Sequence, residues 1–488
     1  MKGLMLASLI LPVVAALLIK FVHTDIRIKR NFLILVLMAE CVLTVCMVTS
    51  EPVRFMLFSM SDILRVEMEI DNLSKLFMVI ASFGFLFAGI FASKYMEHEH
   101  DAFPEENFYL FFLLSLFGLM GMDMSCNLVS MYFFFEMITL LSMPLVLHEK
   151  SKESIGAALK YLFYSIAGAF LALGCIFVLA NYVNSMDFVS GGNLIKEAAD
   201  HKTLIYVMVL LGVIGFGAKA GMYPLHGWLP TAHPVAPAPA SAVLSGIITK
   251  AGVLAIIRII YYVTGVDFLY GSWVQYTLLT LALITVFMGS MMAYREKVLK
   301  KRLAYSSVSQ ISYVLFGLFL LNETAYIGSL MQILFHATVK ICLFLFAGSI
   351  IFNTGKHNVD ELKGMGKAMP LTFICFTLAS LSLIGIPPFA GFVSKWYLAM
   401  GALNSGLEVF NYTGPVVLLI SALLTAGYLL PITIDGFFPG EGYEAEDNDE
   451  GGLRMIVPLV VLAALALFMG IGSGYLKPLF EFIARGLF

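Results

Sequence analysis

Charge is what this sequence has least of. Asp, Glu, Lys and Arg make up only 13% of its 488 residues, against about 25% in an ordinary soluble domain. Hydrophobic residues reach 60% and the mean hydropathy is +0.89. That balance excludes a disordered chain, a secreted disulfide scaffold and a cytosolic enzyme. The net charge of −3 and the absence of a long Lys/Arg run give no footing for nucleic acid. Cysteine is sparse too. Cys41, Cys46, Cys126, Cys175, Cys342 and Cys375 lie in apolar stretches with no CxxC spacing. They read as buried small hydrophobes, and no cofactor, iron–sulfur cluster, haem or metal is expected. His98-Glu99-His100-Asp101, in a single short loop, is too weak a pattern to count as a metal site.

What the sequence has instead is long apolar runs. A spanning helix needs about 20 mainly apolar residues, and fourteen stretches qualify: 3–22, 31–49, 73–93, 108–124, 127–147, 156–180, 203–223, 238–262, 272–293, 304–321, 325–352, 369–400, 412–434 and 454–476. The first lacks a small-residue cleavage site and reads as a span, not a signal peptide. An all-α polytopic membrane protein is expected, a single integral-membrane domain over 1–488, with its longest loops at 50–72, 181–202 and 435–453. Lys and Arg concentrate in alternate loops, above all at Arg295, Lys297, Lys300, Lys301 and Arg302. The positive-inside rule then puts both termini outside, in a cell's inner (cytoplasmic) membrane. Two inner loops are acidic, Glu97 to Glu106 and Glu441 to Glu450. They read as solvated faces, with partner docking as the lesser alternative.

Two of the runs cannot be single straight helices. Pro224, Pro230, Pro234, Pro237 and Pro239 break the seventh, and Gly385-Ile386-Pro387-Pro388 breaks the overlong twelfth. Broken backbone at membrane depth is tolerated where it is buried in protein or lines a wet cavity, and such segments point to a transport site. Ionisable groups inside the apolar runs are few: Glu40, Glu136, Lys219, Lys250, Arg258, His336, Lys340 and Lys395. Glu136 has no cation within a helical turn, so its partner must come from another helix. Lys219 lies in Gly217-Ala218-Lys219-Ala220-Gly221, a small-residue setting that lets a neighbouring helix come close. His336 and Lys340, four apart, share a helix face. Lys395 follows the second break, where the small Gly391 is expected to admit water. A desolvated lysine loses its proton more readily, a nearby carboxylate opposes that, and histidine titrates near neutrality. Glu136, Lys219, Lys250, His336, Lys340 and Lys395 therefore compose a proton relay. Pro224, His226, His233, Pro387 and Pro388 mark its gates; the two histidines read equally well as caps for exposed backbone. Glu40, Arg258 and Lys160 read as structural, since no break or second charge accompanies them.

These residues resemble a known family. Gly217-Ala218-Lys219, Pro224-Leu225-His226-Gly227-Trp228-Leu229-Pro230-Thr231-Ala232-His233 and Ala236-Pro237-Ala238-Pro239-Ala240-Ser241-Ala242 are similar to the signature of the antiporter-like subunits of respiratory complex I, Mrp Na⁺/H⁺ antiporters and energy-converting membrane hydrogenases. So are Phe135-Glu136-Met137, Lys301-Arg302-Leu303-Ala304-Tyr305-Ser306-Ser307 and Gly385 through Lys395. The resemblance implies fourteen helices with two inverted five-helix repeats (108–262 and 272–434), flanked by 1–107 and 454–488, and with helices seven and twelve broken. It also implies a Glu136–Lys219 coupling pair, continued by Lys250, His336, Lys340 and Lys395. Lysine at 395 resembles the Mrp D type and the complex I N type. Other membrane subunits are the implied partners, and H⁺ the implied cargo, with Na⁺/H⁺ antiport as its variant. The rivals are a stand-alone proton-coupled solute transporter and, further off, a membrane-embedded transferase. No flavin, nicotinamide or quinone motif is recognisable, so any redox chemistry would belong to other subunits.

Overall fold

The computed structural model describes residues 1–61, 64–97, 104–440 and 450–488. Helices α1 (Lys2–Phe21), α2 (Ile26–Val48), α3 (Asn72–Tyr95), α4 (Glu105–Asp123), α5 (Leu128–Val146), α6 (Lys152–Leu179) and α7 (Lys202–Ala220) lead to a short α8 (Leu229–Val235). The helical stretch α9 (Ala238–Thr264) follows. Then come α10 (Trp273–Arg295), α11 (Leu299–Phe319), α12 (Glu323–Thr354), α13 (Pro370–Ile384), α14 (Ala390–Leu403), α15 (Phe410–Phe437), α16 (Leu453–Ile471) and α17 (Ser473–Ala484). Among the described residues, eleven helices are long and apolar enough to cross a membrane, and α13 is a shorter apolar one. Their starts are set by short polar side chains that satisfy free backbone donors. Asp71 accepts from Ser74 N at 2.8 Å, Asn127 from Ser130 N at 2.8 Å and Asn322 from Ala325 N at 3.0 Å.

The 50–72 segment is not a plain loop. It folds into an antiparallel hairpin of β1 (Phe55–Ser59) and β2 (Arg65–Met68), tied to the α4–α5 turn by Glu69 N donating to Met124 O at 2.8 Å. The α6–α7 connection joins the same end through Leu128 N to Met186 O at 3.0 Å and Asn193 N to Val263 O at 2.9 Å. Both termini lie here as well: Lys2 Nζ sits 5.4 Å from the Phe55 ring centroid, and the Phe488 ring packs 5.6 Å from Tyr261.

The opposite end collects the basic residues. Arg30 pairs with Glu97 at 2.6 Å and with Glu105, and Lys29 pairs with Glu106 at 3.2 Å. Glu97 thus pins α2 to the end of α3, and Glu105 and Glu106 pin it to the start of α4, so these three are not a solvated face. The rest of that acidic run, with His98–Asp101, and the run 441–449 lie outside the described residues. Glu450 caps α13, accepting from Leu371 N at 2.8 Å and Thr372 N at 3.0 Å.

Burial separates centre from rim. Every residue of α9 is buried and α12 is nearly so, whereas α1, α2, α6 and α15 expose large apolar side chains such as Leu35, Phe163, Phe170, Phe177 and Leu423. Faces of that kind are stable only against lipid or a partner. Cys46 is among the exposed residues, so the reading of all six cysteines as buried holds for five.

Candidate functional site

The two breaks are built alike. The helix α7 ends at Gly221 (φ 83°), with Gly221 N bonded to Ala218 O at 3.2 Å and Met222 N to Gly217 O at 2.8 Å. The helix α13 ends at Gly385 (φ 93°), with Gly385 N bonded to Ser382 O and Ile386 N to Leu381 O, both at 3.1 Å. Both are left-handed glycine terminations, and only a residue without a Cβ takes that φ cheaply. Three residues beyond each glycine stands a cis proline, Pro224 and Pro388.

The lysines at the two breaks are held differently. Lys219 Nζ donates to Phe135 O at 2.6 Å and Thr139 Oγ1 at 2.7 Å, and lies 3.9 Å from the Phe135 ring centroid. It thereby docks on the turn of α5 that carries Glu136, without a direct ion pair between the two. Glu136 Oε1 is buried with no hydrogen-bond partner. Lys395 Nζ instead donates to Leu383 O at 2.6 Å and Ile384 O at 2.8 Å. It caps the last carbonyls of α13, where the helix dipole favours a cation.

The small residues around Lys219 do let neighbouring helices close in: a Cβ at Gly168 of α6 would fall 2.7 Å from Ala218 Cβ. Gly217 and Gly221 themselves serve the break. A Cβ at Gly217 would meet Met222, and one at Gly221 would meet Leu229, both in the break itself. A second close helix contact comes from the partner side, where a Cβ at Gly252 would fall 2.5 Å from Phe216 O and 2.7 Å from Ala220 N. That glycine lets α9 lie directly on the end of α7. Likewise Gly391 admits backbone, not water: a Cβ there would fall 1.9 Å from Ser382 O.

Between the breaks the polar groups form a chain. Lys250 Nζ donates to Ser245 O at 2.7 Å, in a π-helical segment (Leu244–Ile248), and lies 3.0 Å from His336 Nδ1. Such segments widen a helix by one residue and recur at functional sites. Lys340 turns away from His336 to α11, donating to Leu303 O at 2.9 Å and to the Ser306 hydroxyl. The adjacent Ser307 hydroxyl meets Ser245 at 2.6 Å, which returns to the backbone that holds Lys250. One turn from His336, Gln332 donates to Gln310 Oε1 at 3.0 Å and accepts from Ser394 at 2.5 Å, next to Lys395. His233 is fully buried with neither ring nitrogen bonded, and stacks 4.7 Å from Phe344, the residue one turn beyond Lys340. His226, half-buried, lies 5.9 Å from the Tyr223 ring with Nδ1 unbonded. His233 therefore caps no backbone among the described residues.

Residues 125–425 match the family described as NADH:quinone oxidoreductase/Mrp antiporter, transmembrane. This chain is a member of that family. It is 34% identical over 440 residues to NADH-quinone oxidoreductase subunit N of Desulforudis audaxviator, covering 87% of this chain and 86% of the relative. It is 30% identical to hydrogenase-4 component B of Escherichia coli, over 86% of this chain and 64% of that longer protein. Its fold superposes on a chain of the Mrp complex from Dietzia with a TM-score of 0.84 at 23% identity, covering 99% of this chain and 97% of that one. The chain is thus a multi-pass membrane protein of the antiporter-like subunits.

Sequence reading missed several groups within this family fold. Gln310, Gln332 and Ser394 are neutral, and only helix register shows that they fill the gap before Lys395. Asp123 is buried with Oδ2 unbonded; an acid as the last residue of a helix, against the dipole, was the available signal. Arg258 is not alone: it pairs with Asp71 at 2.5 Å. Lys160, the other basic group read as structural, donates to Thr231 at 2.9 Å.

Proposed function

We propose that this subunit moves protons across the membrane along Glu136, Lys219, Lys250, His336, Lys340 and Lys395, as one member of a multisubunit complex. The observation that carries this reading is the Lys250–His336 contact at 3.0 Å, buried between α9 and α12. It puts two exchangeable groups from different halves of the chain within direct transfer distance. Glu136 would act by charge on Lys219, favouring the held proton when it is ionised and its release when it is neutralised. The helix ends at Gly221 and Gly385 would be the places where each half changes access, with Pro224, His226 and His233 at the first and Pro387 and Pro388 at the second.

In this reading α4, α11 and the α13/α14 pair also cross, which makes fourteen crossings. The shared form of the two glycine-ended breaks supports inverted repeats over 108–262 and 272–434. An even number of crossings agrees with both termini at one end. The basic end would face the cytoplasm and the hairpin end the outside of an inner membrane. H⁺ is the primary cargo, with Na⁺ as a candidate counter-ion, and the partners are other membrane subunits. The test uses the intact complex in inverted vesicles with a pH-sensitive dye. Glu136→Ala and Lys219→Ala are each expected to cut coupled proton movement by about 100-fold, the scale of a lost proton-transfer group, with assembly intact. Wild-type rates in both would refute the pair's role. Varying Na⁺ in the same assay shows whether the counter-flow is real.

A further inference from the structure

Glu40 stands outside this row and outside the region matched to the family. It lies on α2, eight residues before Val48, or roughly 12 Å from that helix end. Its side chain is fully buried. The Ser8 hydroxyl of α1 donates to Oε1, but Oε2 has no partner. The Thr44 hydroxyl, one turn along the same face, is also buried and unbonded.

Among the described residues, no countercharge accompanies it. The helix α2 packs on α1 and α3, whose ionisable groups are Lys2, Lys20, Lys75, Lys94 and Tyr95, all in terminal turns. Arg27, Lys29 and Arg30 sit at the far start of α2. Along α2 the next polar side chains are Cys41 and Thr44, and α1 brings Ser8. The other charges read as structural have partners, Arg258 in Asp71 and Lys160 in Thr231. A carboxylate buried in an apolar bundle without a cation is strongly disfavoured. Two unbonded oxygens one turn apart, with a hydroxyl fixing the carboxyl from the other side, form a seat that a small cation completes.

We propose that Glu40 is an exchangeable seat for a monovalent cation, a proton or Na⁺, held at Oε2 with the Thr44 hydroxyl as second oxygen and Ser8 orienting the carboxyl. The site is separate from the axis. Its neutralisation state would set the fit of α1 and α2 against α3. The test is infrared difference spectroscopy of the whole complex in membranes, wild type minus Glu40→Gln, following the carbonyl band of a protonated acid. In Na⁺-free buffer the band is expected at neutral pH and should disappear on alkalinisation. Loss of the band on adding Na⁺ at fixed pH identifies Na⁺ as an occupant; loss with pH alone identifies the proton. Thr44→Val should shift the midpoint of either titration by several-fold in ion concentration while preserving the fold. A band that neither pH nor Na⁺ alters, or no band under any condition and no Na⁺ effect, would overturn the proposal. Dye-monitored proton transport by Glu40→Gln, compared with Lys250→Ala, keeps this outcome distinct from failure of the axis itself.

Discussion

The two breaks end their helices with the same hydrogen bonds, yet use their lysines in opposite ways. At the first, Lys219 precedes the terminating glycine and leaves its own helix end to reach α5, beside Glu136. The helix end is served by others, such as the Trp228 indole, which donates to Ala218 O at 2.8 Å. At the second, Lys395 comes from the following helix and is itself the cap on Leu383 and Ile384. One lysine is free to answer a carboxylate; the other is tied to the geometry of the break. Identical backbone design therefore need not mean identical chemistry, and the second half has no acid in the place of Glu136 among these contacts.

Matched substitutions separate these roles. Lys219→Met and Lys395→Met should both reduce proton transport by about 100-fold, since Met fills the volume without a proton. Lys395→Met should destabilise the complex more, by about 1–3 kcal/mol for each helix-end carbonyl left without a donor, because Phe135 O lies inside α5 and keeps its place in the helix ladder, read as thermal stability in detergent. Equal stability loss in the two variants would erase the distinction. Lys395→Glu sharpens it: a protonated carboxyl can donate to one carbonyl, whereas a carboxylate only accepts. Its residual transport should fall as pH rises, and a pH-independent residue would mean that the cap is not needed.

Smaller effects follow from packing. Gly252→Val removes no titratable group but drives a branched side chain into the α7 backbone, parting Lys219 from the helix that carries Lys250. Transport is expected to drop about 10-fold, as for a displaced transfer partner, with both lysines still present. Wild-type rates would show that the α7–α9 contact does not set the relay.

The smallest effect is expected at the basic end, far from both breaks. Burial pushes the Glu106 carboxyl up, but its own backbone N–H, Lys29 and Lys20 outweigh that and hold it below its ordinary 4.5. Because the folded value is the lower one, the Lys29–Glu106 contribution is present above the ordinary value and lost as pH falls through the folded one. The thermal stability gap between wild type and Glu106→Gln should be constant from neutral pH down to about 4.5 and close below it. A gap that widens on acidification would contradict the pairing.

How much of this could be read in advance depends on what each residue must do. Spans were legible because lipid demands long apolar runs, and the breaks because proline and glycine cannot be hidden in a helix. The titratable row was legible because charge at membrane depth is rare enough to need a reason. Gln310, Gln332, Ser307 and Ser394 were not, since neutral polar residues are common in packed helices and only the register of three helices brings these together. Arg258 looked solitary because its partner, Asp71, lies 187 residues away. The hairpin was missed because its strands are only five and four residues long and β1 shows no polar/apolar alternation, leaving Met56 and Phe58 exposed. Gly391 was misread for a different reason: a small residue marks close approach, and sequence does not say whether water or backbone approaches.

The central claim is that protons pass between the halves through Lys250 and His336, and the most direct measurement is coupled proton movement by Lys250→Ala and Lys250→His complexes in inverted vesicles, with assembly verified in each. The account predicts loss by about 100-fold in the alanine variant and a residual rate within about 10-fold of wild type in the histidine variant, which can still exchange a proton near neutrality with His336. Equal loss in both would show that position 250 supplies a fixed charge, and undiminished pumping by Lys250→Ala would show that the proton does not pass there.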